Sequence, residues 1–183
     1  MTSDGAGDEA SAKSVSGERR GESRVSRKSR SSRIRIIGLG NGMRGDDAVG
    51  LLVAHRLRQE IGDRVDVIEA EMAGVDLVEL MKGANVAILV DAARSGQAAG
   101  TIHRLDGSAG SISAPIFPRS SHAIGTADAL ELARAMGVLP ATVIVYGVEA
   151  ENTEVGRPLS PAVAKVLEQV VDRIVQDCEV YRA

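Results

Sequence analysis

The chain has 183 residues, 44% of them apolar but only 2% aromatic, with one cysteine and a formal net charge of −3. That suits a single packed domain with a core of Val, Ile, Leu, Ala and Met. A lone Cys178 excludes an intrachain disulfide and a thiolate metal centre, so any metal must be held by carboxylates and imidazoles.

Charge divides the chain in two. Residues 1–32 carry seven Lys/Arg and five Asp/Glu, while residues 33–183 carry fifteen and twenty. The acidic body argues against nucleic acid as the main partner. No apolar run approaches the ~20 residues of a membrane span. The arginines near the start have no apolar segment behind them, so a secretory signal is not expected and a cytoplasmic location is. Residues 1–32, rich in Ser, Gly, Arg, Glu and Lys, bury too little to offset ordering entropy and read as a disordered tail. Residues 33–183 read as one domain.

Strand and helix patterns alternate from Ile34 onwards. Ile34, Ile36, Ile37 and Leu39 form a first strand, followed by a Gly-rich turn and two acids, Asp46 and Asp47. Asp46 is placed to cap a helix over 48–59, with Asp47 in its first turn where the helix dipole favours negative charge. A second strand is predicted over 65–69, a turn over 70–74 and a short helix over 75–81. Residues 86–90 are continuously apolar, the pattern of a strand buried on both faces of a parallel sheet, and they end at Asp91. A short antiparallel strand over 100–105 leads into a Gly/Ser/Pro-rich loop over 106–121, closed by His122. A helix over 126–136, a buried strand over 142–148, a polar loop over 149–158 and a final helix over 161–176, capped by Ser160, complete the chain. The alternation predicts a three-layer α/β domain, with a mainly parallel sheet between helices.

In such sheets, sites form beyond the carboxyl ends of the strands. That rule gathers Asp47, Glu69, Glu71, Asp91 and His122. A nucleotide reading is suggested by Gly38-Leu-Gly40, but Met43 occupies the third glycine position and two carboxylates would repel a pyrophosphate at the helix start. A metal reading fits better: Asp47, Asp91 and His122 offer two oxygens and one nitrogen from separate strand ends, leaving positions open for a divalent ion such as zinc or nickel. The same residue types also serve as helix caps and turn formers, and spacing does not decide between these roles.

Together the motifs resemble the NiFe-hydrogenase maturation endopeptidases. Gly38-Leu-Gly-Asn-Gly-Met-Arg-Gly-Asp-Asp-Ala-Val-Gly50 resembles the family's first motif, Val90-Asp-Ala92 the second, Gly100-Thr-Ile102 the segment that follows, and Ser121-His122-x-x-Gly125 the third. Gly147-Val-Glu149 and Leu159-Ser160 resemble its ending. The resemblance spans residues 34–176. It implies a five-stranded twisted sheet with helices on both faces. It also implies removal of a C-terminal extension from a hydrogenase large-subunit precursor after nickel insertion. Carried onto this sequence, it makes Asp47, Asp91 and His122 both the metal-contacting and the catalytic residues, with nickel belonging to the precursor rather than held permanently.

One stretch departs from the family. An Asp-Gly-Gly-Thr-like turn is common after the second strand, whereas this chain has Glu69-Ala-Glu-Met-Ala-Gly74. Glu71 reads as a solvated turn residue that could otherwise add a carboxylate to the site. The chain has no His-Glu-x-x-His pair for a preloaded zinc site and no nucleophile elbow to make use of Ser120 or Ser121. The loop over 106–121 is expected to close over the substrate tail. A non-proteolytic protein that binds nickel or a maturation intermediate is the alternative on the same fold.

Overall fold

A computed structural model describes residues 33–110, 112 and 124–182. The proposed tail, 1–32, lies outside the described residues. The first strand, β1 (Ile34–Gly40), is apolar on both faces because helices cover both. Ile34 and Ile36 point into one layer, Ile37 and Leu39 into the other. A 3₁₀ turn (Gly45–Ala48) leads into α1 (Val49–Ile61), followed by β2 (Asp66–Glu71), α2 (Asp76–Met81) and β3 (Val86–Ala93). The remainder is β4 (Ile102–Asp106), α3 (Thr126–Ala135), β5 (Thr142–Glu149) and α4 (Pro161–Arg182).

The five strands form one sheet in the order β2-β1-β3-β5-β4. β1, β2, β3 and β5 run parallel, and β4 pairs antiparallel with β5 at the edge. Helices α1 and α4 cover one face, with Val53, Leu57, Val170 and Ile174 packed against Ile36, Ile88 and Tyr146. On the other face α2 and α3 bring Leu77, Met81 and Leu130 against Ile37, Leu89 and Val145. The predicted three-layer architecture and antiparallel fourth strand are therefore present. Because β2 and β3 flank β1 on opposite sides, the connections leaving β1 and β3 diverge, and a crevice opens over their carboxyl ends.

Two elements run further than their patterns suggest. The third strand continues past Asp91 to Ala93, pairing with β5 as far as Ala93–Glu149, so Asp91 lies within the strand. The last helix continues past residue 176 to Arg182. Its extra turns bury Cys178 and carry Asp177, which accepts from both Arg104 Nε (2.9 Å) and the Tyr146 hydroxyl (2.7 Å). These tertiary bonds extend a helix whose apolar stripe thins there.

The glycines do more than turn the chain. A Cβ on Gly38 would stand 2.0 Å from Gly50 O and 2.5 Å from Ala54 Cβ; one on Gly50 would stand 2.3 Å from both Leu39 O and Val90 O. The start of α1 thus rests directly on the backbones of β1 and β3. We expect Gly50→Ala to lose about 3 kcal/mol of stability, because overpacking against two carbonyls outweighs the helix-propensity gain of about 1 kcal/mol. Urea unfolding measures this; a loss below about 0.5 kcal/mol would contradict the packing account.

Candidate active site

The loop from β1 to α1 is closed by its own backbone. Asn41 N–H donates to Asp47 O at 3.1 Å, Arg44 N–H to Asn41 O at 3.1 Å, and Asp47 N–H to Arg44 O at 3.0 Å. Gly40 has a φ of +139° and lies so near this crossing that a Cβ would meet Asp47 O at 1.8 Å. Here the glycine is required by the turn, as the sequence suggested.

Asp46 does not cap α1. The residue before the helix is Ala48, and no side chain caps it. The Asp46 carboxylate is fully buried and accepts three backbone N–H groups from beyond β5: Glu151 at 2.8 Å, Asn152 at 3.0 Å and Ser160 at 2.6 Å. Its own N–H donates to Asn152 O at 2.8 Å. Long-range amides outcompete the local cap because they satisfy a buried loop that otherwise lacks partners. Burial alone would raise the Asp46 pKa; the amides of Ser160, Asn152 and Glu151 outweigh it and hold the carboxyl below its usual range.

The neighbouring acid has the opposite environment. Asp47 lines a cleft of about 620 Å³ over the ends of β1 and β3. Burial raises its pKa, against the opposing charges of Arg44 and Arg94 on the cleft wall. Asp91 lines the same cleft. Burial is the main cause that lifts its pKa to about 6, and the Asp47 charge adds to it. The Thr126 hydroxyl, donating to Asp91 Oδ2 at 2.5 Å, and the Ala92 amide, donating to Oδ1 at 2.8 Å, act against it. Two carboxylates that burial and mutual repulsion disfavour as anions are suited to a cation or to hydrogen-bond donors brought by a ligand.

The structure thus brings Asp47 and Asp91 into one cleft. The third predicted residue, His122, lies outside the described residues, as do Ser120, Ser121 and most of the 106–121 loop. Ile124, Gly125 and Thr126, which follow His122 in sequence, line the cleft. Among the described residues no three of His, Cys, Asp and Glu gather as a metal site. Glu71 is exposed and does not line the cleft.

Two supporting roles are not visible in the sequence, although Glu149 stands in the Gly147-Val-Glu149 motif. Thr126 reads there only as the start of a helix, yet it ties α3 to Asp91. Glu149, only 2% exposed at the end of β5, accepts from Ser95 Oγ (2.8 Å) and Gly96 N–H (2.8 Å) and lies 3.2 Å from His103 Nε2. Burial would raise its pKa, but these bonds lower it. They fix the turn that carries Arg94 into the cleft wall. The signal for Glu149 is an acid at the end of a continuously apolar strand, where an unpartnered charge would be costly.

Fold and site together define a doubly wound α/β protein with an acid-floored cleft at its switch point. Comparison with known proteins gives the family. Residues 51–177 match the sequence model described as hydrogenase maturation protease. The chain is 29% identical over 146 residues to the hydrogenase 2 maturation protease of Escherichia coli strain K12, covering 78% of this chain and 88% of that protein. The hydrogenase maturating endopeptidase HybD from E. coli superposes with a TM-score of 0.67 at 27% identity, covering 80% of this chain and 92% of that one. The NiFe hydrogenase maturation protease HycI from Thermococcus kodakarensis shares the fold, with a TM-score of 0.61 at 22% identity over 82% of this chain and 95% of that one. The chain belongs to the hydrogenase maturation protease family, and is accordingly an endopeptidase with a processing role. Among the described residues, no helix is long and apolar enough to cross a membrane.

The Asp46 clamp has a checkable pH signature. A depressed folded pKa means that the unfolded chain binds the proton more readily, so the contribution is present above the unfolded value of about 4 and fades as pH falls through the lower folded value. Asp46→Asn, which loses acceptor capacity against three amides, should cost about 2–3 kcal/mol at pH 7. It should also flatten the acid limb of a stability–pH profile measured by urea unfolding. An unchanged limb would remove Asp46 from this role.

Proposed function

We propose that this protein removes the C-terminal extension of a NiFe-hydrogenase large-subunit precursor after nickel insertion, recognising the nickel through Asp47, Asp91 and His122. The observation that carries the proposal is the meeting of Asp47, from the turn after β1, and Asp91, on β3, in one cleft at the sheet's switch point. The donor set also supports it: two carboxylates with an imidazole suit a borderline divalent ion such as nickel. In this reading nickel is part of the substrate, so an empty precursor offers nothing to these side chains and is not cleaved. Thr126 holds Asp91 in place, and the closed 41–47 loop holds Asp47, so the two carboxylates meet the precursor already oriented. Hydrolysis consumes one water: its oxygen bonds to the scissile carbonyl carbon, the C–N bond breaks, and a proton reaches the leaving amine. The cytoplasm, where precursors are assembled in this reading, is the proposed location.

The test is cleavage of nickel-loaded precursor by wild type and by Asp47→Ala, Asp91→Asn and His122→Ala, followed by mass spectrometry of the released C-terminal peptide. Each variant should keep its circular dichroism spectrum and lose processing by about 100-fold or more. Normal processing by the Asp47 or His122 variant would end the assignment of those residues. Precursor binding by the wild type without cleavage would favour the binding-only alternative.

A further inference from the structure

Arg44 and Arg94 bring positive charge into a cleft whose floor is acidic, and both line it together with Asp47 and Asp91. The sequence spaces them evenly: Arg44 stands three residues before Asp47, and Arg94 three residues after Asp91. The ends of β1 and β3 therefore each supply one acid and one arginine. Among the described residues these two are the only cationic side chains that line the cleft.

Neither arginine is occupied. Among the described residues neither guanidinium makes a hydrogen bond or an ion pair, although both charges act on Asp47. Arginines that tie this fold together look different: Arg104 holds Asp177 with two nitrogens, and Arg134 donates to the carbonyls of Gly107 and Gly110. An ordinary surface arginine is also unpaired, but the backbone beneath these two is fixed. Arg44 N–H donates to Asn41 O at 3.1 Å, and its carbonyl accepts from Asp47 N–H at 3.0 Å. The next residue, Gly45, has a φ of +51° and lies so close to the loop after β5 that a Cβ would stand 2.5 Å from Asn152 O. On either side of Arg94, Ala93 O accepts from Ala150 N–H at 2.9 Å, while Ser95 Oγ and Gly96 N–H each donate to Glu149 at 2.8 Å. A buried carboxylate is costly to keep. Here it secures a turn, 93–96, of which only Arg94 lines the cleft.

We propose that Arg44 and Arg94 are catalytic residues of the cleavage reaction, their guanidinium N–H groups donating to the scissile carbonyl oxygen and stabilising the negative charge it gains. The inference rests on the processing function proposed above. As the oxygen of water bonds to the carbonyl carbon, the C=O π pair moves onto the carbonyl oxygen. When that pair re-forms the double bond, the C–N bond breaks and the proton released by water reaches the leaving amine. Between these steps a negative charge stands in a cleft that already holds two acids. Donors fixed in advance around such a charge are among the strongest contributions to catalysis. The two carboxylates balance the charge of a divalent ion held between them, whereas the guanidinium charges remain uncompensated. Arginine suits the task because its fork is planar, rich in donors and permanently charged.

The test is steady-state cleavage of nickel-loaded precursor by the full chain as wild type, Arg44→Met, Arg94→Met and Arg94→Lys, each across a pH series. Urea unfolding checks that the fold is kept. Each Met variant should lower kcat about 100-fold, the loss typical of one removed oxyanion donor, with KM within about twofold of wild type. Arg94→Lys, which keeps the charge but not the fork, should fall between Arg94→Met and wild type. An unchanged kcat in either Met variant would overturn the inference. So would a raised KM with kcat intact, which would assign the arginines to an acidic group of the bound precursor. Full kcat at a displaced pH optimum would also overturn it, since the arginines would then act only on the charge of Asp47. A lysine variant as slow as Arg94→Met would count the same way, because charge would play no part. All four outcomes leave the processing function standing. A wild type that binds the loaded precursor without cleaving it overturns the processing proposal and this one together.

Discussion

The site depends on how closely α1 approaches the sheet. An ordinary helix stands off a sheet by the thickness of its side chains. At Gly38 and Gly50 there are none, and helix and strand backbones touch. That contact brings the start of α1 down onto the ends of β1 and β3, leaving only a short, self-bonded loop between Gly40 and Asp47. Asp47 is therefore delivered to the height of Asp91. A side chain at either glycine would lift the helix start and with it the carboxylate, so packing and site geometry are one constraint. The Gly-rich stretch resembles a phosphate cradle because both devices need a backbone without side chains; here the approaching partner is the protein's own helix.

Much of this was legible in the sequence because it is periodic. Continuous apolar runs at β3 and β5 announced strands buried on both faces, and helical spacing located all four helices. The strand-end rule, with the family resemblance, placed Asp47 and Asp91 on one edge. The illegible parts depend on partners distant in sequence. Asp46 looks like a cap because caps are local, yet its three acceptor bonds reach more than a hundred residues away, to Glu151, Asn152 and Ser160. Glu149 looks like the first residue of a polar loop, yet it is buried because Ser95, Gly96 and His103 converge on it. The end of α4 escaped for the same reason, since Arg104 and Tyr146 hold Asp177 from the sheet. Local patterns carry propensity, whereas these features are set by contacts that exist only once the chain has folded.

The supporting bonds form a frame around the cleft. Asp46 joins the first loop to the loop after β5, which supplies Thr153 to the cleft wall. Thr126 joins α3 to β3 through Asp91. Glu149 secures the turn that presents Arg94. Each bond ends on a buried or half-buried carboxylate, and each fixes a segment that would otherwise be an ordinary surface loop. A cleft built by loops from four strand ends needs such ties, because loops alone hold side chains less accurately than helices and strands.

Adjacent Asp46 and Asp47 show how one backbone step separates a carboxylate that ties loops together from one that faces the cleft. Their intrinsic acidities are the same, and they share a 3₁₀ turn. Asp46 turns inward to three amide donors and is stabilised as an anion. Asp47 faces the cleft, where burial disfavours its charge and the charges of Arg44 and Arg94 oppose the effect. Among the described residues no amide donates to its carboxylate, which leaves its lone pairs available to a ligand. Exchanging the environments would neutralise the site: an acid saturated with backbone donors has little left to offer a ligand. The doubled acid is therefore not a redundancy. The first carboxylate is consumed in holding the loop so that the second can remain unsatisfied, and a single acid at this position could not do both.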